Sequence, residues 1–141
     1  QNRIMANMKL KSNENLRAAD VLVSGNMLSS SIHCYYYSAL QLSMHILCSF
    51  HGLDYAKQNS ESKGKDSHTQ AESTASFLGE ANIFYKVDYN KNIGILKMLR
   101  KRADYSETLI VDRDIKSAKK AVNSFSFRCH IKLYFSHGSA S

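Results

Sequence analysis

The chain has 141 residues, no proline, six glycines and a formal net charge of +7. This length is usual for one domain with a single hydrophobic core, and the lack of proline argues against the frequent turns of a β-sandwich or barrel. No run approaches the ~20 apolar residues that span a bilayer, and Gln1 to Leu10 lack the features of a signal peptide. We therefore expect one domain over residues 1–141, rich in helix, cytoplasmic and without a membrane partner.

The first fifty residues predict two helices separated by a glycine. Leu16, Ala19 and Val23 predict a helix over Ser12 to Ser24 that continues upstream, with Gly25 as its C′ residue. The next helix begins with an N-cap at Ser29 to Ser31 and runs to Phe50. Its apolar residues form one stripe of Ile32, Tyr36, Ala39, Leu40, Ser43, Leu47 and Phe50 and a second face of Tyr35, Leu42 and Ile46. A helix that is apolar nearly all round needs either a central place in a bundle or a second copy of the chain.

The middle of the chain is harder to interpret. Residues Gly52 to Gln70 are rich in Lys, Ser, Asn and Glu, which predicts a mobile loop. A short helix is expected over Ala71 to Leu78, with Gly79 closing it. The pattern from Glu80 to Asn92 is compatible with helix or turn.

Helical spacing returns in the last third. A helix is predicted over Lys91 to Ala103, followed by a break near Tyr105 to Thr108 and a long helix capped by Asp112. The core seam of that last helix is Ile115, Ala118, Val122, Phe125 and Cys129, and a second set for a partner surface is Phe127, Ile131, Tyr134 and Phe135. Ser136 to Ser141 are expected to fray. The whole pattern predicts an all-α, up-and-down bundle of four to five helices.

The sequence contains none of the usual motifs of a metal site or of a catalytic nucleophile. His45, Cys48 and His51 are spaced by three residues, but the spacing matches no structural zinc pattern and a fourth ligand is not evident. Cys34, Cys48 and Cys129 form no CxxC pair, which favours reduced thiols. Neither a GxSxG nucleophile motif nor a glycine-rich phosphate loop is present, so we expect no metal and no cofactor. A catalytic triad formed by residues that are far apart in the sequence stays an open alternative.

Two basic clusters are candidates for contact with a polyanion. They are Lys97, Arg100, Lys101 and Arg102, and then Lys116, Lys119 and Lys120. A phosphate backbone would relieve the repulsion within each cluster. The alternative is a solvated face that has Asp104, Asp112 and Asp114 as counterions.

Asp104 is the most informative acidic residue. A carboxylate near the C-terminal end of a helix opposes the helix dipole unless a partner compensates it, and Arg100 lies one turn earlier. This pair, with Tyr105, is either a simple helix-ending ion pair or a preorganised arginine, carboxylate and phenol trio that faces a cleft.

Two segments resemble the HEPN domain family. Ser31 to Leu40 reads SIHCYYYSAL, and Leu99 to Tyr105 reads LRKRADY; a long helix that ends in Phe125 follows. The chain is most similar to the branch with a tyrosine-rich second helix and an L-R-x-x-A-D-Y signature, and the likeness spans roughly residues 9 to 127. The resemblance implies a helical bundle that dimerises through its long helices. It also implies a minimal nucleotidyltransferase as partner, in a toxin and antitoxin pair.

Ribonucleases of that family carry an arginine, four to six residues, then a histidine, and the paired motifs of a dimer attack RNA through the ribose hydroxyl. No arginine of this chain has that spacing, and Tyr105 stands where the shortest version after Arg100 would place histidine. A phenol is a poor base at neutral pH. The resemblance therefore implies a protein without the usual ribonuclease motif.

The leading hypothesis is a HEPN-like homodimer, non-catalytic or weakly catalytic, that binds a nucleotide, RNA or a nucleotidyltransferase protein. Its expected ligand-binding residues are Arg100, Arg102, Asp104 and Tyr105, with arginine holding phosphate, Asp104 orienting it and Tyr105 stacking or donating a hydrogen bond. Two alternatives stay open. One is an endoribonuclease toxin with a divergent active site that uses Tyr105 or His68, and the other is a purely structural interaction module.

Overall fold

The computed structural model describes the backbone of residues 2–50, 52, 54–63 and 68–138, and within these the side chains of all but 2–6, 50, 55, 59, 61, 62, 68–70 and 126–138. Six helices occupy these ranges: α1 (Asn2–Ser24), α2 (Leu28–Phe50), α3 (Tyr55–Ser62), α4 (His68–Ala81), α5 (Ile83–Tyr105) and α6 (Asp112–Gly138). No strand occurs within them, which confirms the predicted all-α bundle but with more helices than the four to five expected. Within the same ranges, no helix is both long and apolar enough to cross a membrane.

The turn between α1 and α2 differs by one residue from the prediction. Asn26, rather than Gly25, takes the left-handed conformation, with φ of 58°. The Met27 N–H donates to the Leu22 carbonyl at 2.8 Å, which closes a Schellman motif with Asn26 at C′. Asparagine adopts the left-handed conformation more readily than most residues. The prediction of Gly25 as the C′ residue of α1 was therefore wrong by one position.

α1 and α2 are antiparallel neighbours joined by buried serines. Ser12 Oγ donates to the Ser38 carbonyl at 2.7 Å, and Ser38 Oγ donates to the Ser12 carbonyl at 2.9 Å. Asn15 and Gln41 add an amide hydrogen bond of 2.8 Å nearer the surface. Small hydroxyl side chains allow the two backbones to approach closely and satisfy their own polar atoms there.

α2 is the central helix of the bundle, since it contacts every other helix of the described chain. Both of its predicted apolar faces are buried as far as their side chains are described, with Ile32, Tyr36, Ala39, Leu40 and Leu47 on one and Tyr35, Leu42 and Ile46 on the other. The Phe50 side chain lies outside the described residues. Of the two arrangements that the sequence left open, a central position in one chain is therefore correct. The double-faced α2 pattern itself gives no reason to invoke a second copy.

The polar segment predicted as a mobile loop contains a helix. α3 begins after Asp54, whose side chain accepts a hydrogen bond from the Lys57 N–H at 2.7 Å. Gln58 is buried, and its Nε2 donates to the Met44 carbonyl of α2 at 3.1 Å. The prediction of a loop over 52–70 was wrong for this part because one cap and one buried amide dock a helix that has little apolar surface.

α4 and α5 are each longer than predicted. Gly79 lies inside α4 rather than at its end, with the Lys86 side chain against it, and α5 begins at Ile83. Asn82 caps α5 by accepting a hydrogen bond from the Phe84 N–H at 2.9 Å. The ambiguous segment 80–92 is thus mostly helix. α5 ends at Tyr105, which confirms the predicted break.

α6 buries the predicted seam as far as its side chains are described. Ile115, Ala118, Val122 and Phe125 are buried, and the Phe125 ring lies 4.9 Å from that of Tyr89 on α5. Asp112 is the first helical residue rather than the cap. The side chains of Cys129 and of the predicted partner surface lie outside the described residues. The backbone is helical through Gly138, where fraying was expected from Ser136, and residues 139–141 lie outside the described part of the chain.

Candidate functional site

The C-terminal end of α5 carries the arginine and carboxylate pair predicted from the sequence. Arg100 and Asp104 are one helical turn apart, and Arg100 Nε lies 3.7 Å from Asp104 Oδ2. At this distance the contact is an ion pair rather than a hydrogen bond. The carboxylate at the negative end of the helix dipole is therefore compensated by a cation, as expected.

Two tyrosines of α2 hold Arg100 from its other side. The guanidinium carbon lies 4.8 Å from the Tyr36 ring centre and 5.3 Å from that of Tyr37. Tyr36 is a core residue at 3% exposure, whereas Tyr37 is 39% exposed, so Arg100 sits at the border between core and solvent. Cation–π contacts contribute about 0.5–2 kcal/mol each, and they restrict the motion of the guanidinium without using its N–H donors.

His33 of α2 joins the same carboxylate, and the sequence did not predict this contact. His33 Nε2 lies 2.5 Å from Asp104 Oδ1. The sequence shows no carboxylate at triad-like spacing from His33, and only the packing of α5 on α2 brings Asp104 to it. If Nε2 donates its proton to Asp104, the ring is oriented and Nδ1 is the nitrogen that can accept a proton.

A concavity of about 200 Å³ lies along this end of α5, lined by Lys97, Arg100, Lys101, Asp104 and Tyr105. Tyr105 is 85% exposed and forms its rim. The structure thus brings together Arg100, Asp104 and Tyr105 of the predicted ligand-binding residues. With three cationic side chains and one carboxylate, this surface, which we call the basic corner, favours an anionic ligand.

Arg102 is not part of the basic corner. It forms an ion pair with the buried Asp114 of α6, and this pair ties the end of α5 to the start of α6. Burial alone would raise the pKa of Asp114, but the Val111 N–H, which donates to its carboxylate at 2.9 Å, and Arg102 together lower it. The alternative interpretation of the basic cluster is therefore correct for Arg102 in one respect, because Asp114 is its counterion. The pair is largely buried, however, and is not part of a solvated face.

The second basic cluster lies on α6 and does not line the basic corner. Lys119 Nζ is 3.5 Å from Asp20 Oδ1 of α1, and Lys116 and Lys120 are exposed. The Tyr35 hydroxyl donates to the same Asp20 carboxylate at 3.3 Å, and burial, followed by the Asp20 charge, raises the pKa of Tyr35. Asp20 thus neutralises part of this cluster, which weakens it as a phosphate site.

The remaining histidine and cysteine candidates form no metal-binding group among the described side chains. His68 is the first residue of α4 and His51 lies outside the described residues, so the structure does not address either side chain. His45 Nδ1 lies 3.3 Å from Ser49 Oγ, and no group of three metal-binding side chains occurs among the described residues. Burial raises the pKa of the Cys34 thiol, which disfavours a thiolate nucleophile there.

Comparison with known proteins finds no family model, curated protein or solved structure that matches this chain. The HEPN resemblance therefore stays an expectation from the sequence, based on the SIHCYYYSAL and LRKRADY segments and the long helix that follows them. Function has to be inferred from the geometry of the basic corner.

Proposed function

We propose that this chain binds RNA or a nucleotide through phosphate contacts at the basic corner, as a HEPN-like protein without the usual ribonuclease motif. One observation carries the proposal: Arg100 is held between two tyrosine rings and Asp104 at the edge of a concavity that also contains Lys97 and Lys101. An arginine held in this way loses little side-chain entropy when it binds phosphate.

The size of the concavity favours RNA over an enclosed nucleotide. Sites that enclose small molecules usually measure about 300–1,000 Å³, whereas the concavity of the basic corner measures about 200 Å³. It matches one phosphate of an extended strand, with exposed Tyr105 at its rim as a surface on which a base can stack.

Binding of fluorescein-labelled single-stranded RNA, followed by fluorescence anisotropy, tests the proposal. Arg100→Ala is expected to weaken binding about 10- to 100-fold, because a hydrogen bond to a charged group contributes about 1.5–3 kcal/mol. The slope of log affinity against log salt should also become shallower by about 0.7, the value for one phosphate contact on a single strand.

Arg17→Ala is the matched control because Arg17 is exposed on α1, a helix that makes few contacts with α5, and the same charge is lost. It should change the affinity less than about twofold. Arg100→Lys retains the charge but not the planar fork, and we expect an intermediate affinity. Equal RNA affinities for wild type, Arg100→Ala and Arg17→Ala, with thermal unfolding showing all three folded, would refute the proposal.

The HEPN resemblance adds an oligomeric state, a cellular location and a protein partner to the proposal. A HEPN-like protein of this branch is expected to form a homodimer in the cytoplasm and to pair with a minimal nucleotidyltransferase as a toxin–antitoxin component. Co-expression with the product of the neighbouring gene, followed by affinity capture and identification of the captured protein, tests that pairing, and capture of a protein that is not a nucleotidyltransferase would contradict it. Capture of the partner by a chain with no RNA affinity would instead favour a purely structural interaction module.

One contact favours a second candidate, an endoribonuclease with a divergent active site. His33 lies against Asp104 at 2.5 Å and therefore shares a carboxylate with Arg100, although the two are far apart in sequence. A histidine oriented by a carboxylate is a suitable general base for a ribose hydroxyl, and an adjacent arginine would stabilise the phosphate charge.

Cleavage of labelled RNA by the purified protein, together with growth after induction, tests this candidate. His33→Gln should abolish cleavage, whereas Tyr105→Phe and His68→Ala test the two residues proposed from the sequence. Loss of cleavage in His33→Gln alone assigns the base. RNA that stays intact with the wild-type protein, under conditions where it binds, would eliminate the enzyme.

A further inference from the structure

A groove lies between α1 and α6, because both helices pack on α2 but make little contact with each other within the described part of the chain. The groove contains a cavity of about 230 Å³. Two residues of α1, one of α2 and three of α6 line it: Leu16, Asp20, Tyr35, Lys119, Val122 and Asn123. This α1–α6 groove shares no residue with the basic corner.

The floor of the α1–α6 groove is apolar. Tyr35 of α2 and Val122 of α6 are each 2% exposed, and Leu16 of α1 is half-buried beside them. Since the core already holds these side chains in place, an apolar group that enters the groove gains contact with them without rearranging the helices.

The two walls of the groove carry opposite charges. Asp20 belongs to α1 and Lys119 to α6, and Lys119 Nζ lies 3.5 Å from Asp20 Oδ1. Their side chains are 66% and 46% exposed. An ion pair with this exposure contributes little to the free energy of unfolding, so a ligand can separate the two side chains at small cost.

The polar groups of the groove have hydrogen-bonding capacity that the fold does not use. The Tyr35 hydroxyl donates to Asp20 Oδ1 at 3.3 Å, so Tyr35 and Lys119 contact the same carboxylate oxygen. Asp20 Oδ2 and the carboxamide of the exposed Asn123 have no partner among the described residues. The ammonium group of Lys119 has three donors, and Asp20 uses one of them.

We propose that the α1–α6 groove binds a free α-amino acid with a small apolar side chain, such as leucine. The ammonium group of the ligand donates to Asp20 Oδ2, and its carboxylate accepts from Lys119 Nζ and the Asn123 carboxamide. Its side chain lies on the apolar floor. This site does not depend on the proposed RNA binding.

Charge complementarity favours a zwitterion over a ligand with a single charge. Lys119 would repel a cation that binds Asp20, and Asp20 would repel an anion that binds Lys119. The two charged groups of an α-amino acid share one carbon atom, so both can reach a pair of side-chain atoms that are 3.5 Å apart. Each charge of the ligand then lies beside a charge of opposite sign.

The volume of the cavity agrees with a ligand of this size. A water molecule takes up about 30 Å³ of liquid, so about 230 Å³ holds roughly eight waters or one molecule of about eight to twelve non-hydrogen atoms. A nucleotide is larger and needs a site of about 300–1,000 Å³. With so few ligand atoms and exposed charges, we expect a dissociation constant on the order of 1 mM.

An NMR titration of the ¹⁵N-labelled full chain with L-leucine tests the site. The amide signals of Leu16, Asp20, Val122 and Asn123 should shift and saturate. N-acetyl-L-leucine lacks the positive charge and L-leucine methyl ester lacks the negative one, so each should bind at least about threefold more weakly. Shifts that do not saturate by about 50 mM L-leucine would overturn the proposal, as would equal affinities for the three compounds.

D-leucine distinguishes a shaped site from an exposed ion pair. The two charged contacts and the apolar floor engage three substituents of the α-carbon, and D-leucine cannot keep all three in place. It should therefore bind at least about threefold more weakly than L-leucine. Equal affinities of the two enantiomers would show that only the exposed charges are engaged, which would refute the site in the groove.

Charge variants with matched controls test the residues. Lys119→Gln and Asp20→Asn should each raise the dissociation constant for L-leucine at least about threefold. Lys120→Gln and Glu14→Gln lose the same charges from exposed positions of α6 and α1 outside the groove, and should change it less than about twofold. Thermal unfolding identifies the variants that are folded. If each variant and its control give the same dissociation constant, the proposed contacts are wrong.

Discussion

Replacing Ser12 and Ser38 by alanine, singly and together, tests how α1 is held against α2. The two hydroxyl oxygens are 3.0 Å apart, which is within hydrogen-bonding range. Each hydroxyl has one hydrogen, however, and each is positioned to donate it to the backbone carbonyl of the other serine, at 2.7 and 2.9 Å. The two hydrogen bonds should then be independent, since neither depends on the other side chain.

The expected cost follows from two opposing terms. A buried hydrogen bond contributes about 1 kcal/mol to the free energy of unfolding. Alanine is the better helix former in a helix interior, and regains about 0.5 kcal/mol. Each single variant should therefore lose about 0.5 kcal/mol and the double variant about 1 kcal/mol, with a coupling energy below about 0.5 kcal/mol.

Urea unfolding followed by far-UV circular dichroism measures these free energies, with an unchanged slope as evidence that the folded state is intact. Ser117→Ala is the control, because Ser117 Oγ donates to the Arg113 carbonyl of its own exposed helix turn at 3.1 Å. It should be neutral or slightly stabilising. If the double variant is no less stable than either single variant, the hydroxyls bond each other and the reasoning fails.

Three further variants probe other contacts. Leu96→Ala empties a fully buried site between α5 and the core and should lower the free energy of unfolding by about 2–5 kcal/mol in urea titration. Asn82→Ala removes the α5 cap and should lower it by about 1 kcal/mol in the same assay. Asp114→Asn should cost about 1–3 kcal/mol at neutral pH. The pKa of Asp114 is lowered on folding, so this contribution is present above its unfolded pKa of about 3.9 and is lost as pH falls through the folded value. Unfolding of both proteins across pH should show the difference closing only in acid.

The sequence predicted which residues of α2 are buried, but it did not predict which surface covers them. The two apolar faces of α2 were identified residue by residue, because a helix that is apolar nearly all round has to be covered on every side. The same pattern cannot say whether the covering surface belongs to the same chain. Periodicity records that a side chain avoids water, and it carries no information about which surface it meets.

For α5 the sequence did not predict the helix clearly in its first turns. Its first turns alternate between the exposed Phe84 and Val87 and the buried Tyr89, so the apolar residues lie on both sides of the helix and the helical period is blurred. The segment was therefore ambiguous. α3 was missed for a related reason, since its attachment depends on the Asp54 cap and the buried Gln58 amide rather than on an apolar stripe.

The sequence predicted the contact of the basic corner that lies within α5, but not the contacts that α2 supplies. Arg100 and Asp104 are four residues apart and had to be neighbours once the helix was recognised. Arg102 was placed with them only because it is near in sequence, but two residues along a helix turn a side chain by about 200°, and it meets Asp114 instead. His33, Tyr36 and Tyr37 come from another helix, and only tertiary packing could bring them to Arg100 and Asp104.

The contacts of Arg100 connect the core to the surface that we propose for RNA. Tyr36 is buried in the core, so the packing of α2 against α5 positions the guanidinium that lies over its ring. Asp104 is shared between Arg100 and His33, so it limits the motion of both side chains at once. An ion pair that served only to end α5 would need neither the tyrosines nor the histidine. Their convergence on one arginine and one carboxylate, beside two lysines that raise the local positive potential, supports the anion site that we propose at the basic corner.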